Sequence, residues 1–199
     1  MGILVILHIL FNRISEFLFK RFDLFCRLGQ VPTMQLRTEI PDDYPAIDEL
    51  LRVAFTFDNT STLDEPEMVR ELREAGDLAL SLVAISSAEE LIGHIIFSPV
   101  EVEAGGGGWM ALGLIAVEPR LQRRGVGRTL MQEGLTRIRE AGAGGCVVMA
   151  EPPFYERFGF RKIPGVTPSI PLTDEFLVLS FGDAEPRGMV TYPRAYHRD

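Results

Sequence analysis

Apolar and polar positions recur along this chain with two different periods, and the switches between them divide it into elements. Residues 34–38 alternate as a strand does. In residues 42–55, Ile47, Leu50, Leu51 and Ala54 fall on one helical face behind a start rich in Pro and Asp. Residues 65–75 predict a polar helix with Met68, Val69 and Leu72 inward. Residues 78–85 and 91–102 are apolar, β-branched runs separated by the polar stretch 86–90, the pattern of an antiparallel hairpin. Gly105 to Gly108 form a flexible turn, and residues 109–117 the next strand. Residues 125–141 predict a helix with Val126, Leu130, Gly134, Ile138 and Ala141 along one face. The glycines of 142–145 stop it, and 146–150 is a short buried strand. Strand, helix and strand in that order imply a parallel pair joined by a right-handed crossover. Residues 174–181 and 189–192 predict two terminal strands.

Residues 1–33 follow a different pattern. They hold Phe11, Phe17, Phe19, Phe22 and Phe25, and more basic than acidic side chains. No basic residue precedes the apolar run 3–7 and no small-residue cleavage site follows it, so a signal peptide is not expected. Charges interrupt the segment before the ~20 apolar residues of a membrane span accumulate. On a helix, Arg13, Glu16, Lys20, Asp23 and Arg27 would form one narrow polar stripe with two favourable i,i+4 pairs, and Gly29 and Pro32 would end it. One reading is a helix lying on a membrane interface or a partner. The favoured reading is an upstream stretch from a misplaced start site, with Met34 as the natural beginning. The chain thus divides into an extension, 1–33, and one domain, 34–199.

Composition narrows the chemistry. The 199 residues carry a net charge of −8. That lacks the basic surface on which nonspecific nucleic-acid binding depends, so no nucleic-acid partner is expected. Cys26 and Cys146 do not make a disulfide framework, and Cys146 sits in an apolar run as a small core residue. His8, His94 and His197 lie far apart without ligand-like spacing, so no metal site is expected. A cytoplasmic location is expected.

The informative stretch runs from residue 112 to 160. Ile115-Ala116-Val117-Glu118-Pro119 ends a strand, and Gln122-Arg123-Arg124-Gly125-Val126-Gly127 opens a helix. A glycine-bearing turn at a helix N-terminus is an anion site. Its amides point outward, the helix dipole favours negative charge, and the missing Cβ atoms let phosphate approach. A P-loop would need Lys-Ser/Thr after the second glycine, where this chain has Arg128-Thr129. A dinucleotide fingerprint would need a third glycine, where it has Leu130.

What fits is Q/R-x-x-G-x-G/A, and here the sequence resembles the GNAT acetyltransferases. Gln122, Gly125 and Gly127 match the turn that holds the pyrophosphate of acetyl-CoA in that family. Downstream, Pro152-Pro153-Phe154-Tyr155-Glu156-Arg157-Phe158-Gly159-Phe160 resembles the family's Y-x-x-x-G-F signature, with Tyr155 at the tyrosine. The resemblance covers residues 34 to about 163 well, the last thirty-odd loosely and 1–33 not at all. One departure is Ala150, where glycine is common in the family.

The resemblance implies an α/β fold with a mixed, mostly antiparallel sheet, one splayed parallel strand pair and helices on both faces. It implies an acetyl-CoA-dependent N-acetyltransferase acting on a primary amine, of a small molecule or a protein, by direct transfer in a ternary complex. Cofactor contacts are then expected at Ile115, Ala116, Val117, Gln122, Arg123, Arg124, Gly125, Val126, Gly127, Arg128 and Tyr155. The strand 114–117 would offer a backbone N–H to the thioester carbonyl, and Tyr155 would protonate the leaving thiolate. Arg123, Arg124 and Arg128 read equally as phosphate partners or as solvated surface arginines. Glu118, Glu103 and Glu101 are candidate bases beside ordered water, and His94 reads as a buried structural histidine. The alternative is a non-catalytic acyl-CoA-binding sensor or scaffold. The acceptor is expected to lie against residues 55–74 and the terminal strands; its identity and any homodimer are left open.

One outcome follows from the separate composition of 1–33. A chain beginning at Met34 should be soluble and bind acetyl-CoA as the full chain does, measured by calorimetry on both. Insoluble or non-binding truncated protein would place the segment within the fold.

Overall fold

In the computed structural model, residues 33–56, 64–171, 175–182 and 185–197 are described. The expectations for residues 1–32 lie outside them. The elements are β1 (Met34–Thr38), α1 (Tyr44–Thr56), α2 (Glu65–Ala75), β2 (Leu80–Ser86), β3 (Leu91–Ala104), β4 (Gly108–Val117), α3 (Val126–Glu140), β5 (Ala143–Met149), the one-turn α4 (Pro152–Tyr155), β6 (Val166–Pro168), β7 (Phe176–Ser180) and β8 (Arg187–Thr191). The sheet runs β1-β2-β3-β4-β5-β7. All neighbours are antiparallel except β4 and β5. β8 pairs with the far end of β3 and, in parallel, with β6. This is the mixed α/β fold that the sequence predicts.

The periodicities explain why each face is covered. Ile47, Leu50, Leu51 and Ala54 of α1 and Met68, Val69 and Leu72 of α2 are buried against Val83, Ile96, Leu114 and Ala116 on one side of the sheet. On the other, Val126, Leu130, Met131 and Ile138 of α3 pack on Ile95, Phe97, Leu112 and Val148. The boundary between α3 and β5 differs from expectation. Gly144 and Gly145 belong to β5 rather than to the stop of α3, because Trp109 lies across Gly145, its partner in register. A Cβ at Gly145 would overlap the indole and the Leu179 carbonyl oxygen. The short β6 and α4 carry no period long enough to read in the sequence.

The feature that positions the site is where β4 and β5 part. Their pairing runs from Gly108 opposite Ala143 to Ala111 opposite Val147 and goes no further. Immediately beyond, Phe97 of β3 faces Leu112 but Ile96 faces Leu114, so Gly113 is an extra residue in β4. Such a bulge bends its strand and raises the local twist. β4 is thereby turned along β3 while β5 stays with β7. Gly113 has no room for a side chain: a Cβ would overlap the Tyr196 hydroxyl and lie 2.9 Å from Ile96 Cδ1. That hydroxyl donates to the buried Ser98 Oγ at 3.2 Å.

Gly113→Ala should therefore cost about 1–3 kcal/mol through overpacking, and Tyr196→Phe about 1 kcal/mol through the lost hydrogen bond. The double variant should cost less than the two together, since removing the hydroxyl relieves part of the overlap. Denaturant unfolding of the four proteins measures this. Additive effects would mean that the hydroxyl does not hold the bulge.

Candidate active site

The turn after β4 is shaped by local backbone constraints. Glu118-Pro119 leads into a single 3-10 turn, Pro119–Leu121, and the chain then passes through left-handed conformations at Arg123 (φ 59°) and Gly125 (φ 90°). Glycine takes such a φ without strain, whereas Arg123 holds it at a cost. The Gln122 side-chain amide donates to the Val117 carbonyl at 3.3 Å and ties the turn to the strand end. Gly125 is the N-cap of α3 and brings no side-chain oxygen to the first-turn amides. Those amides and the dipole of a fifteen-residue helix face outward, which suits an anion.

A cavity of about 660 Å³ opens in front of this turn. Of the residues expected to contact acetyl-CoA, Ile115, Val117, Gln122, Arg123, Gly125, Gly127 and Arg128 line it together. A Cβ on Gly127 would lie 3.5 Å from Val117 Cγ2, 3.7 Å from Ile115 Cδ1 and 3.9 Å from Phe154 Cζ, all of which line the cavity, so a larger side chain there would intrude on it. The remaining expected contacts fall elsewhere. Val126 is buried at the foot of α3, where a Cβ on Gly93 would lie 3.0 Å from its Cγ1. Ala116 is buried on the opposite side of the sheet, in register with His94. Arg124 does not line the cavity. Phe154 and Arg157 do, and the sequence pattern did not single them out. Their signal was their place within the aromatic segment after β5. There Arg157 Nε donates to the Pro153 carbonyl at 2.9 Å and its guanidinium stands 6.0 Å over the Phe154 ring.

A second cavity, of about 180 Å³, occupies the gap where the two strands part. Ile115 belongs to both cavities. Gly113 and Leu114 form one wall of the second, Val148 and Met149 another, and Tyr155 closes one side. The Tyr155 ring packs edge-on against Phe154 and Phe160, with centroids at 5.1 and 6.0 Å. Phe55, Glu65 and Met68, from α1 and α2, complete the lining. Glu65 was not foreseen as a site residue; in the sequence it is one of several acidic positions in a polar helix, with nothing to mark which faces the gap.

The other candidates lie away from these cavities. Glu101 is opposite Thr191, and Glu103 Oε2 accepts from Met189 N at 3.0 Å, both at the far end of β3. Glu118 pairs with Arg120 at 2.8 Å. Cys146 is fully buried, and burial pushes its thiol well above the usual range. His94 is fully buried. Glu39 Oε1 and Oε2 accept from Arg73 Nε and Nη2 at 2.7 and 2.9 Å, and the Ser81 hydroxyl donates to Glu39 Oε2 at 2.5 Å. His94 Nε2 lies 2.8 Å from Ser81 Oγ and 3.3 Å from Glu39 Oε2. Because Ser81 has spent its proton on Glu39, His94 is the donor, which fixes the Nε2–H tautomer and leaves Nδ1 a bare, buried acceptor. Burial lowers the His94 pKa against the pull of Glu39. Burial alone would raise the Glu39 carboxyl; its hydrogen bonds from Arg73, His94 and Ser81 overcome this and hold it at about 2. Among the described residues, no group of three or more His, Cys, Asp or Glu is placed to hold a metal ion, and no helix is long and apolar enough to cross a membrane.

Known proteins resemble this chain in sequence and in fold. The family model of the acetyltransferase (GNAT) domain matches residues 35–163. The uncharacterized N-acetyltransferase YhbS of Escherichia coli K12 is 39% identical over 128 residues, 64% of this chain and 74% of YhbS. A GNAT family acetyltransferase from Brucella melitensis, solved in complex with acetyl-CoA, superposes with a TM-score of 0.73 at 38% identity, over 83% of this chain and 99% of that one. Escherichia coli YhbS solved with CoA gives a TM-score of 0.73 at 32% identity, over 83% and 92% of the two chains. The family match spans well over half of the sequence and includes both the glycine turn and the segment of Tyr155, so the chain belongs to the GNAT acetyltransferases.

Proposed function

We propose that this acetyltransferase moves the acetyl group of acetyl-CoA to a primary amine by direct attack in a ternary complex. The observation that carries the reading is the pair of cavities that share Ile115 as a wall, one in front of a helix N-terminus and lined by arginines, the other in the strand gap beside Tyr155. The relatives solved with acetyl-CoA and CoA support the cofactor. In this reading the phosphates lie against the first-turn amides of α3, with Arg123, Arg128 and Arg157 adding charge. The pantetheine arm passes Ile115 and Phe154 into the gap. Beyond Ala111 the edge of β4 facing the gap has no strand partner among the described residues, so its backbone N–H groups are available to the thioester carbonyl.

Two proton transfers accompany the reaction. A lysine-like amine has a pKa near ~10.4 and must shed a proton to attack; a thiol has one near ~8.5, so its thiolate benefits from a donor as it leaves. Tyr155 is the proposed donor, held edge-on between Phe154 and Phe160. Cys146, buried in β5, forms no acyl-enzyme.

Binding and chemistry separate experimentally. At Gly127→Val the Cβ meets ordinary packing distances, so the fold should be kept, while the branched side chain projects into the first cavity beside the helix N-terminus. CoA affinity by calorimetry should fall at least tenfold, and unchanged affinity would remove the phosphates from this turn. Tyr155→Phe keeps the ring and its packing. Once an amine panel yields an acceptor, its kcat should drop by about 10²–10⁴, the usual range for a general acid, with acetyl-CoA affinity nearly constant. The loss should shrink with a thioester of a more acidic thiol. Equal kcat for wild type and variant, with chemistry rate-limiting, would make Tyr155 a packing residue.

A further inference from the structure

Glu65 is a carboxylate in an unusual setting. It is the first residue of α2, after the N-cap Asp64, and is only 8% exposed. Among the described residues, the other side chains lining its cavity are apolar apart from Tyr155, with Phe55, Met68, Leu114 and Met149 as its neighbours in the wall. Among the described residues no cation and no hydrogen-bond donor engages its side chain. The residue is mostly buried, yet its carboxylate oxygens are not sealed off: the fully buried side-chain atoms without a partner among the described residues are His94 Nδ1 and Ser180 Oγ, so the Glu65 oxygens stay open to a group entering the cavity. Favourable interaction with the helix dipole does not explain the placement, since a first-turn Glu has that interaction while facing solvent. Glu67, two residues on, is such a case: it turns outward and pairs with Arg70 at 2.5 Å. Glu65 is instead held where the strand gap opens toward α1 and α2, on the same cavity as Tyr155 and the Gly113–Leu114 wall.

We propose that Glu65 receives the acceptor: it binds the ammonium group of a cationic primary amine carried on a slim apolar arm and takes the first of its protons. This rests on the acetyl-transfer reading above and deepens it by naming the acceptor class. The proton balance is closed. The ammonium gives one proton to Glu65, and the nitrogen lone pair attacks the thioester carbonyl carbon. The C–S bond breaks, and the thiolate takes a proton from Tyr155. The second proton released by nitrogen restores Tyr155, and Glu65 passes its proton to solvent. Acetyl-CoA and ammonium thus become amide, CoA thiol and one proton. The walls select the arm. Phe55, Met68 and Met149 offer it only apolar contacts, so a branched or polar group next to the amine would lose hydration without replacement.

The test uses CoA thioethers, which need no known acceptor. S-aminoalkyl-CoA with two to four methylenes carries an ammonium past the sulfur, and the S-alkyl compound of equal length is its neutral counterpart. Calorimetry on the full chain should show CoA binding, with the best aminoalkyl compound bound about tenfold or more tighter than its counterpart, as expected for a charge-assisted hydrogen bond. Glu65→Gln, and Glu65→Met, which matches the apolar walls, should bind CoA like wild type and lose that preference. CoA binding without any ammonium preference in wild type overturns the assignment, as does a preference retained in both variants. Failure of wild type to bind CoA at all overturns the acetyl-CoA reading itself, and this proposal with it.

Discussion

The bulge at Gly113 is the constraint on which the site depends. A sheet in which β4 and β5 stayed paired to their ends would have no gap, and the cavity beside Tyr155 would be filled by a ladder of hydrogen bonds. The extra residue falls two positions after the last β4–β5 pair, so the two strands are free to follow different neighbours at that point. The bulge in turn is held from the α1–α2 side, where the Tyr196 hydroxyl and Ile96 leave no volume above Gly113. The C-terminal segment thereby acts on a strand more than eighty positions earlier. Sequence period cannot disclose that contact.

A second fixed point lies where α2 meets the sheet. Glu39 follows β1, Arg73 is in α2, Ser81 in β2 and His94 in β3, so one carboxylate ties four elements together. Arg73 also stacks over Tyr44 at the start of α1, with its guanidinium 4.1 Å from the ring centroid. The ion pair leaves little charge uncompensated, because the fork of Arg73 meets both oxygens of Glu39 and the neutral His94 donates to the same cluster. The consequence is positional: α2, which carries Glu65 at its N-terminal end, is anchored to the sheet near its C-terminal end.

What could be read in the sequence follows from how local each determinant is. The glycine turn is specified within six residues, and its cavity contains seven of the eleven positions expected to contact acetyl-CoA. The long helices and strands were legible because each buries one face with a regular period, within about two residues at most boundaries. Val126, within the motif, and Ala116, in the strand before it, show the limit of such a pattern, since their side chains serve the two cores instead. Arg157 reaches the cavity because the turn at Pro152–Tyr155 swings it there. Glu65 reaches the gap through the packing of α1 against α2, and the pairing of β8 with β3 carried Glu101 and Glu103 away from the site. These are tertiary outcomes, and residue type alone did not separate Glu65 from its acidic neighbours.

The arrangement also resolves a mismatch of charge. A chain of net charge −8 has to admit a polyanion. At physiological salt, charges beyond about 8 Å are largely screened, so the groups lining a cavity decide its potential rather than the total. The first cavity is lined by Arg123, Arg128 and Arg157 with no carboxylate among its lining residues. Among the described residues, Glu65 is the one charged residue in the wall of the second. Opposite charges thus mark the two ends of a pair of cavities that share Ile115 as a wall. In the proposed reaction, a phosphate-bearing thioester and an ammonium would each be favoured at one end and disfavoured at the other. Such a polarity orders two substrates about the bond to be made without any contact specific to the rest of the acceptor.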